Sequence, residues 1–192
     1  MRGQGSIRHM MFALIGILIA ALVWAVVVYN LLVRDRNRVA QAWSDVDVQL
    51  TRRHDLVPRL VEIVKGYAGY ERAVLTSLAE LRTRGPAGTS PASRSEVERS
   101  VSTGVKQLIA LVESYPNLKA NENFLDLQGK LVDTENQIQF ARRYYNGAVN
   151  LFNNHLQRFP DLLIARLGGF QPAEFFDLEE PDAAAAPKVA LS

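Results

Sequence analysis

Cysteine is absent from this 192-residue chain, which excludes disulfides, thiolate metal ligands and a cysteine nucleophile. Histidine is scarce, with His9, His54 and His155 the three present. A di-iron bundle needs Glu-x-x-His pairs, but Thr51 and Phe152 stand three residues before His54 and His155, so that chemistry is excluded. Zinc is left with too few ligands, because His9 adjoins an apolar run and no thiolate is available. Neither a Gly-x-Ser-x-Gly elbow nor a Gly-x-x-x-x-Gly-Lys loop occurs, which removes the α/β-hydrolase serine and the P-loop phosphate site. Charge of one sign is lacking too: 22 Lys and Arg face 20 Asp and Glu, for a net +2. Such a balance gives no footing for nucleic acid. The sequence therefore predicts no catalytic residue, no metal and no cofactor.

What the chain does have is a charge-free run from Met10 to Val33, about two dozen residues between Arg8 and Arg34. Its many Leu, Ile, Val and Phe each favour insertion by roughly 0.3–0.6 kcal/mol, a sum of about 4–8 kcal/mol with no charged residue opposing it. As a helix the run spans about 36 Å, slightly more than the ~30 Å hydrocarbon core, and a modest tilt absorbs the excess. A cleaved signal peptide is the competing reading, given Arg2, Arg8 and the small residues Ala20, Ala21 and Ala25. Signal cores are about 7–15 residues, however, and this run continues well past Ala25, so an uncleaved single-pass anchor is expected. Arg34, Arg36 and Arg38 outnumber Arg2 and Arg8, which favours a cytoplasmic C-terminal domain by the positive-inside rule. The same arginines either contact anionic headgroups or serve as a topology signal.

Apolar residues at helical spacing continue beyond the run through Val39, Ala42, Trp43, Val46, Leu50, Leu56, Leu60, Val64 and Tyr67. With no Gly or Pro between Gly16 and Pro58, one helix is expected to leave the membrane and enter the rest of the chain, kinked or divided at Pro58. A second helical segment is read over Tyr70 to Arg82, followed by a breaker-rich loop from Arg84 to Pro91. Ser95 and Glu98 have capping-box spacing, predicting a third helix that starts there and ends near Tyr115, before Pro116. The clearest stripe runs through Phe124, Leu127, Leu131, Thr134, Ile138, Ala141, Tyr145, Ala148 and Phe152 towards Phe159, predicting a helix from Leu118 to Phe159 of roughly 60 Å. Tyr144, Tyr145, Phe152, Phe159 and Trp43 read as core. A short helical turn over Leu162 to Leu167 should stop at Gly168 and Gly169. Phe170, Phe175 and Phe176 either pack back or dock a partner.

No strand pattern competes, so the fold class is all-α: an N-terminal transmembrane helix continuing into an antiparallel bundle. The division is 1–9 as a short tail, 10–33 as the span, 34–176 as one bundle domain, and 177–192 as a disordered, acidic and Ala-rich tail.

Several spaced words resemble the LemA family: Tyr29-Asn30, Arg36-Asn37-Arg38-Val39, Ala42-Trp43-Ser44-Asp45-Val46-Asp47-Val48-Gln49-Leu50 and Arg52-Arg53-His54-Asp55-Leu56-Val57-Pro58. Tyr115-Pro116-Asn117-Leu118-Lys119-Ala120-Asn121, Ala141-Arg142-Arg143-Tyr144-Tyr145-Asn146 and Phe159-Pro160 are similar to it as well. The resemblance extends to about Phe176. It implies a bacterial membrane protein with one N-terminal helix, a LemA-like four-helix bundle and a short outside N-terminus, and it brings no catalytic assignment. Tyr70 departs from the polar residue, often His, expected before Glu71.

The densest polar constellation joins Arg52, Arg53, His54 and Asp55 on the first helix to Glu135, Asn136, Arg142 and Arg143 on the last. Asp45 or Asp55 could meet Arg142 or Arg143, and Glu135 could meet Arg52, Arg53 or His54. The cluster is either an ion-pair network that fixes helix register or a ligand site, since burying these charges costs several kcal/mol per ion unless they are paired. Two functions follow. One is a noncatalytic interaction or scaffold module at the bacterial inner membrane, in contact with the lipid bilayer and an unidentified protein partner. The alternative is a membrane-tethered enzyme or small-ligand sensor that uses the cluster.

Overall fold

The computed structural model of the chain describes residues 3–67 and 90–176. Every regular element among them is a helix: α1 (Gly3–Tyr67), α2 (Pro91–Val112), α3 (Pro116–Lys119), α4 (Glu122–Gln157) and α5 (Asp161–Leu167). The fold is all-α, as the patterning predicts. The segment expected over Tyr70 to Arg82, the loop from Arg84 to Thr89 and the tail from Asp177 lie outside the described residues.

Three of the differences from the boundaries read in the sequence have a local reason. Pro58 does not divide α1, which continues to Tyr67. Leu56, Val57, Leu60 and Val64 bury one face on both sides of the proline, and that packing outweighs its cost of about 3 kcal/mol. α2 begins at Pro91 rather than at Ser95, with proline at the first helical position where its missing N–H loses nothing. Ser95 is already one turn inside, its hydroxyl donating to the Pro91 carbonyl at 2.9 Å, so Ser95 and Glu98 form no capping box. α4 starts at Glu122 because the Asn121 side-chain oxygen accepts the Phe124 N–H at 3.1 Å, satisfying an otherwise free helix donor.

The chain divides into two compact units. One combines residues 1–41 with 147–173, and so holds the first part of α1, the end of α4, and α5. Here α1 is long and apolar enough to cross a membrane, and its apolar side chains from Met10 to Val27 are largely exposed. Exposure ends abruptly on one face: Val28, Leu32, Asp35 and Val39, spaced at four, three and four residues, are buried. Asp35 is met by His155 of α4, with Nδ1 2.6 Å from Oδ2. After α5 the Phe170 N–H bonds the Ala165 carbonyl and the Gly169 N–H bonds the Arg166 carbonyl, the paired bonds that close a helix through a left-handed residue. Gly169 supplies that conformation, at φ 67°. The turn folds the Phe170 ring onto Tyr29 and Phe152, with ring centroids 5.6 Å and 6.4 Å apart. The Asn153 amide then clasps the following chain, donating to the Ala173 carbonyl and accepting its N–H, both at 2.9 Å.

The other unit combines residues 42–146 with 174–192. Its core joins Leu56, Leu60 and Val64 of α1, Val101, Val105 and Leu108 of α2, Leu118 of α3, and Phe124, Leu127 and Leu131 of α4. α1 and α4 run antiparallel in this unit, since Trp43 meets Tyr145 and Arg53 meets Glu135. Trp43 packs between Tyr145 and Phe176 at 5.2 Å and 5.4 Å. A second amide clasp holds Phe176, whose carbonyl and N–H pair with Asn146 at 2.9 Å and 3.0 Å. The Tyr145 hydroxyl donates to the Glu174 carbonyl at 2.7 Å.

Two aromatic residues expected in the core are not there. Tyr144 is 57 % exposed and Phe159 76 %, whereas Tyr145 and Phe152 are buried. Tyr144 lies about 100° round the helix from Tyr145, and Phe159, though in phase with the stripe, falls beyond the end of α4 at Gln157. Of the three phenylalanines left open between packing and docking, Phe170 and Phe176 pack and Phe175 is exposed.

Candidate functional site

In the second unit, the buried face of α1 reads Val46, Leu50, Arg53, Val57, Leu60 and Val64, so an arginine occupies a core position. The buried face of α2 similarly places Glu98 ahead of Val101, Val105 and Leu108. Both side chains are 1 % exposed, and they meet. One guanidinium nitrogen of Arg53, Nη2, bonds the Glu98 carboxylate and donates to the Glu98 carbonyl at 3.2 Å. The other, Nη1, donates to the Ser102 hydroxyl at 2.8 Å and to Glu135 Oε2 at 2.9 Å. His54 Nε2 lies 2.9 Å from the second Glu98 oxygen, and Arg94 Nε stands 3.8 Å from it. Arg94 continues the network to Asp47 at 2.5 Å and lies 6.0 Å over the Trp43 ring.

Burial alone would push the Glu98 carboxyl up, but the hydrogen bond from His54, with the charge and hydrogen bond of Arg53, outweighs it and holds the group below its ordinary value. Glu98 is therefore an anion in the middle of a helical bundle. Arg53 faces it from α1, and Glu135 draws the same guanidinium toward α4, so one cation ties three helices. Nearby, burial and then the Glu174 charge push the Tyr145 hydroxyl up to about 12, so it serves as a proton donor to the chain that crosses it.

Beside Arg53 a cleft of about 230 Å³ opens between α2 and α4, lined by Ser102, Lys106, Glu135 and Gln139 with Val105, Ile109, Leu131 and Val132. That falls short of the roughly 300–1,000 Å³ of a typical small-molecule site. No group of three His, Cys, Asp or Glu side chains able to hold a metal is found among the described residues. On another face Val48, Phe140 and Tyr144 are exposed around a shallow groove that Gln49 also lines, the Gln49 side-chain oxygen being buried without a hydrogen bond.

The model of the LemA family matches residues 42–191. The chain belongs to the LemA family. Magnetosome proteins MamQ 1 and MamQ 2 of Paramagnetospirillum magneticum are each 23 % identical to it over 205 residues, covering 93 % of this chain and 75 % of theirs. Protein LemA of Metamycoplasma hominis is 24 % identical over 138 residues, covering 68 % of this chain and 60 % of its own. With its apolar helix, the chain is a membrane-associated LemA-family protein.

Of the eight polar residues singled out in the sequence, this LemA-family bundle brings together Arg53, His54 and Glu135. Arg52, Asp55 and Asn136 stay at the surface. Arg143 stacks over the exposed Phe140 ring at 4.7 Å, and Arg142 is half-buried. Glu98, the centre of the network, has by its spacing from Ser95 the sequence signature of a helix cap. Its place three residues before Val101 in a stripe of valines and leucines is the signal that identifies it, since a carboxylate at a core position needs a buried cation.

Proposed function

We propose that the chain is a noncatalytic interaction or scaffold module, held at a bacterial inner membrane by α1 with its C-terminal region on the cytoplasmic side. The observation that carries this reading is the pairing of the two most deeply buried charges. Both terminal nitrogens of Arg53 and both carboxylate oxygens of Glu98 are engaged, by one another and by Ser102, His54 and Glu135, while Arg53 Nε stays unpartnered, so the group functions as a register lock. What the bundle offers outward is the Val48, Phe140 and Tyr144 patch. Exposed aromatics of this kind suit a protein partner. The cytoplasmic placement rests on Arg34, Arg36 and Arg38 at the exit of the apolar run.

Photo-crosslinkers placed at Phe140 and Tyr144 in intact membranes test the reading. A reproducible, discrete protein adduct is expected, and labelling of lipid or water alone counts against it. The alternative, an enzyme or sensor, would use the cleft beside Arg53 and Lys106. Lys106→Ala and Glu135→Ala variants that fold normally yet abolish partner capture would favour that alternative. A C-terminal reporter active only outside the cytoplasm would reverse the topology.

A further inference from the structure

In the first unit, beyond the exposed apolar residues of α1, three large apolar side chains are about half exposed or more: Phe159 is 76 % exposed, Leu163 49 % and Leu167 86 %. They are spaced four residues apart, and the last two lie on α5, whose opposite side buries Ala165. α5 is thus a short helix with one face packed and one apolar face bare. Its position in the unit is fixed by the ring that follows it. Phe170 packs on Tyr29, which belongs to the charge-free run of α1, and the Arg36 guanidinium lies 5.6 Å over the same ring. Leu167 is three residues from Phe170, at most about 11 Å of chain. The bare face is therefore carried at the level where α1 passes from its exposed apolar residues to its buried ones, Val28 and Leu32.

We infer that Phe159, Leu163 and Leu167 dip into the bilayer beside the exit of α1, making α5 a second, interfacial membrane contact. The occupant of this face is lipid, because the face continues an apolar surface that already belongs to the span. Its surroundings fit that boundary: Arg158 and Arg166 are exposed in the same unit, and with Arg36 they place cations where phosphate headgroups lie. The inference goes beyond the interaction reading and shares with it only the placement of α1 in the membrane.

The absence of cysteine makes the test direct, since one introduced thiol is the sole labelling site. Full-length Ile19→Cys, Asn37→Cys, Leu163→Cys and Leu167→Cys variants are labelled with an environment-sensitive fluorophore. They are then reconstituted into phosphatidylcholine–phosphatidylglycerol vesicles carrying nitroxide lipids. Ile19 is exposed within the apolar run, and Asn37 lies exposed about 12 Å along the helix beyond Tyr29. Labels at 163 and 167 should be quenched several-fold more by shallow nitroxide lipids than the label at 37, and less by aqueous iodide. Iodide quenching at 163 and 167 equal to that at 37 overturns the inference, and protection from both quenchers overturns it in favour of a protein cover. Lipid quenching at 19 alone refutes the α5 contact while keeping the span; none at 19 removes both.

Discussion

Replacing Glu98 by leucine should cost the fold about 3 kcal/mol, and replacing Arg53 by methionine in addition should restore most of it. Removing one member of a buried ion pair typically costs about 3–5 kcal/mol, because the other charge is left without compensation. Arg53 would lose its bonds to the Glu98 carboxylate but keep Ser102 and the partly exposed Glu135, which puts the loss at the lower end of that range. A chain of this size shifts by about 2–4 °C per kcal/mol, so Glu98→Leu should melt roughly 6–12 °C lower. The double variant should lie within about 1 kcal/mol of the parent or above it, since apolar replacement of a whole buried pair is often neutral. Thermal unfolding of the full chain in detergent, followed by helix content, reads both. A single variant that loses less than about 1 kcal/mol, or a double variant as unstable as the single, would refute the register-lock reading.

Three further outcomes follow from the same contacts. The Glu98 carboxyl is held down in the fold, so its stabilisation is present above its unfolded value near 4.5 and fades as pH falls below it; Glu98→Gln should flatten the melting-temperature profile in that acid range. Tyr145 is raised to about 12, so stability should decline as pH climbs from about 10 to 12, and Tyr145→Phe should remove that alkaline slope. Gly168→Ala should destabilise the first unit by about 1–3 kcal/mol and alter Tyr29 fluorescence, because the new Cβ would stand 2.7 Å from the Phe170 ring and 3.2 Å from the Ile164 carbonyl.

The helices were legible because their information is local. Apolar spacing of three and four residues located α1, the greater part of α2 and the α4 stripe, and the glycine pair located the end of α5. The ends of α2 and α4 were less legible, since Ser95 and Asn121 are both acceptable caps by composition and only packing decides which one caps. The polar site was half legible. Arg53, His54 and Glu135 stood out as charges along two facing helices, while Glu98 was hidden by a spacing that also spells a cap. The Asn146 and Asn153 clasps carry almost no sequence signal: each holds backbone 20 or more residues away, and any asparagine on a helix looks like a solvated one. The exposure of Phe159 and Leu167 is not legible in the sequence, because it is a fact of packing, not of periodicity.

The most direct test of the central claim, that the buried charges hold the bundle while its surface does the work, is partner capture by the Arg53→Met/Glu98→Leu variant. With photo-crosslinkers at Phe140 and Tyr144 in intact membranes, this variant should yield the same adducts as the parent chain. A double variant that is folded and membrane-inserted but yields none would contradict the account and make the Arg53 cluster the functional site.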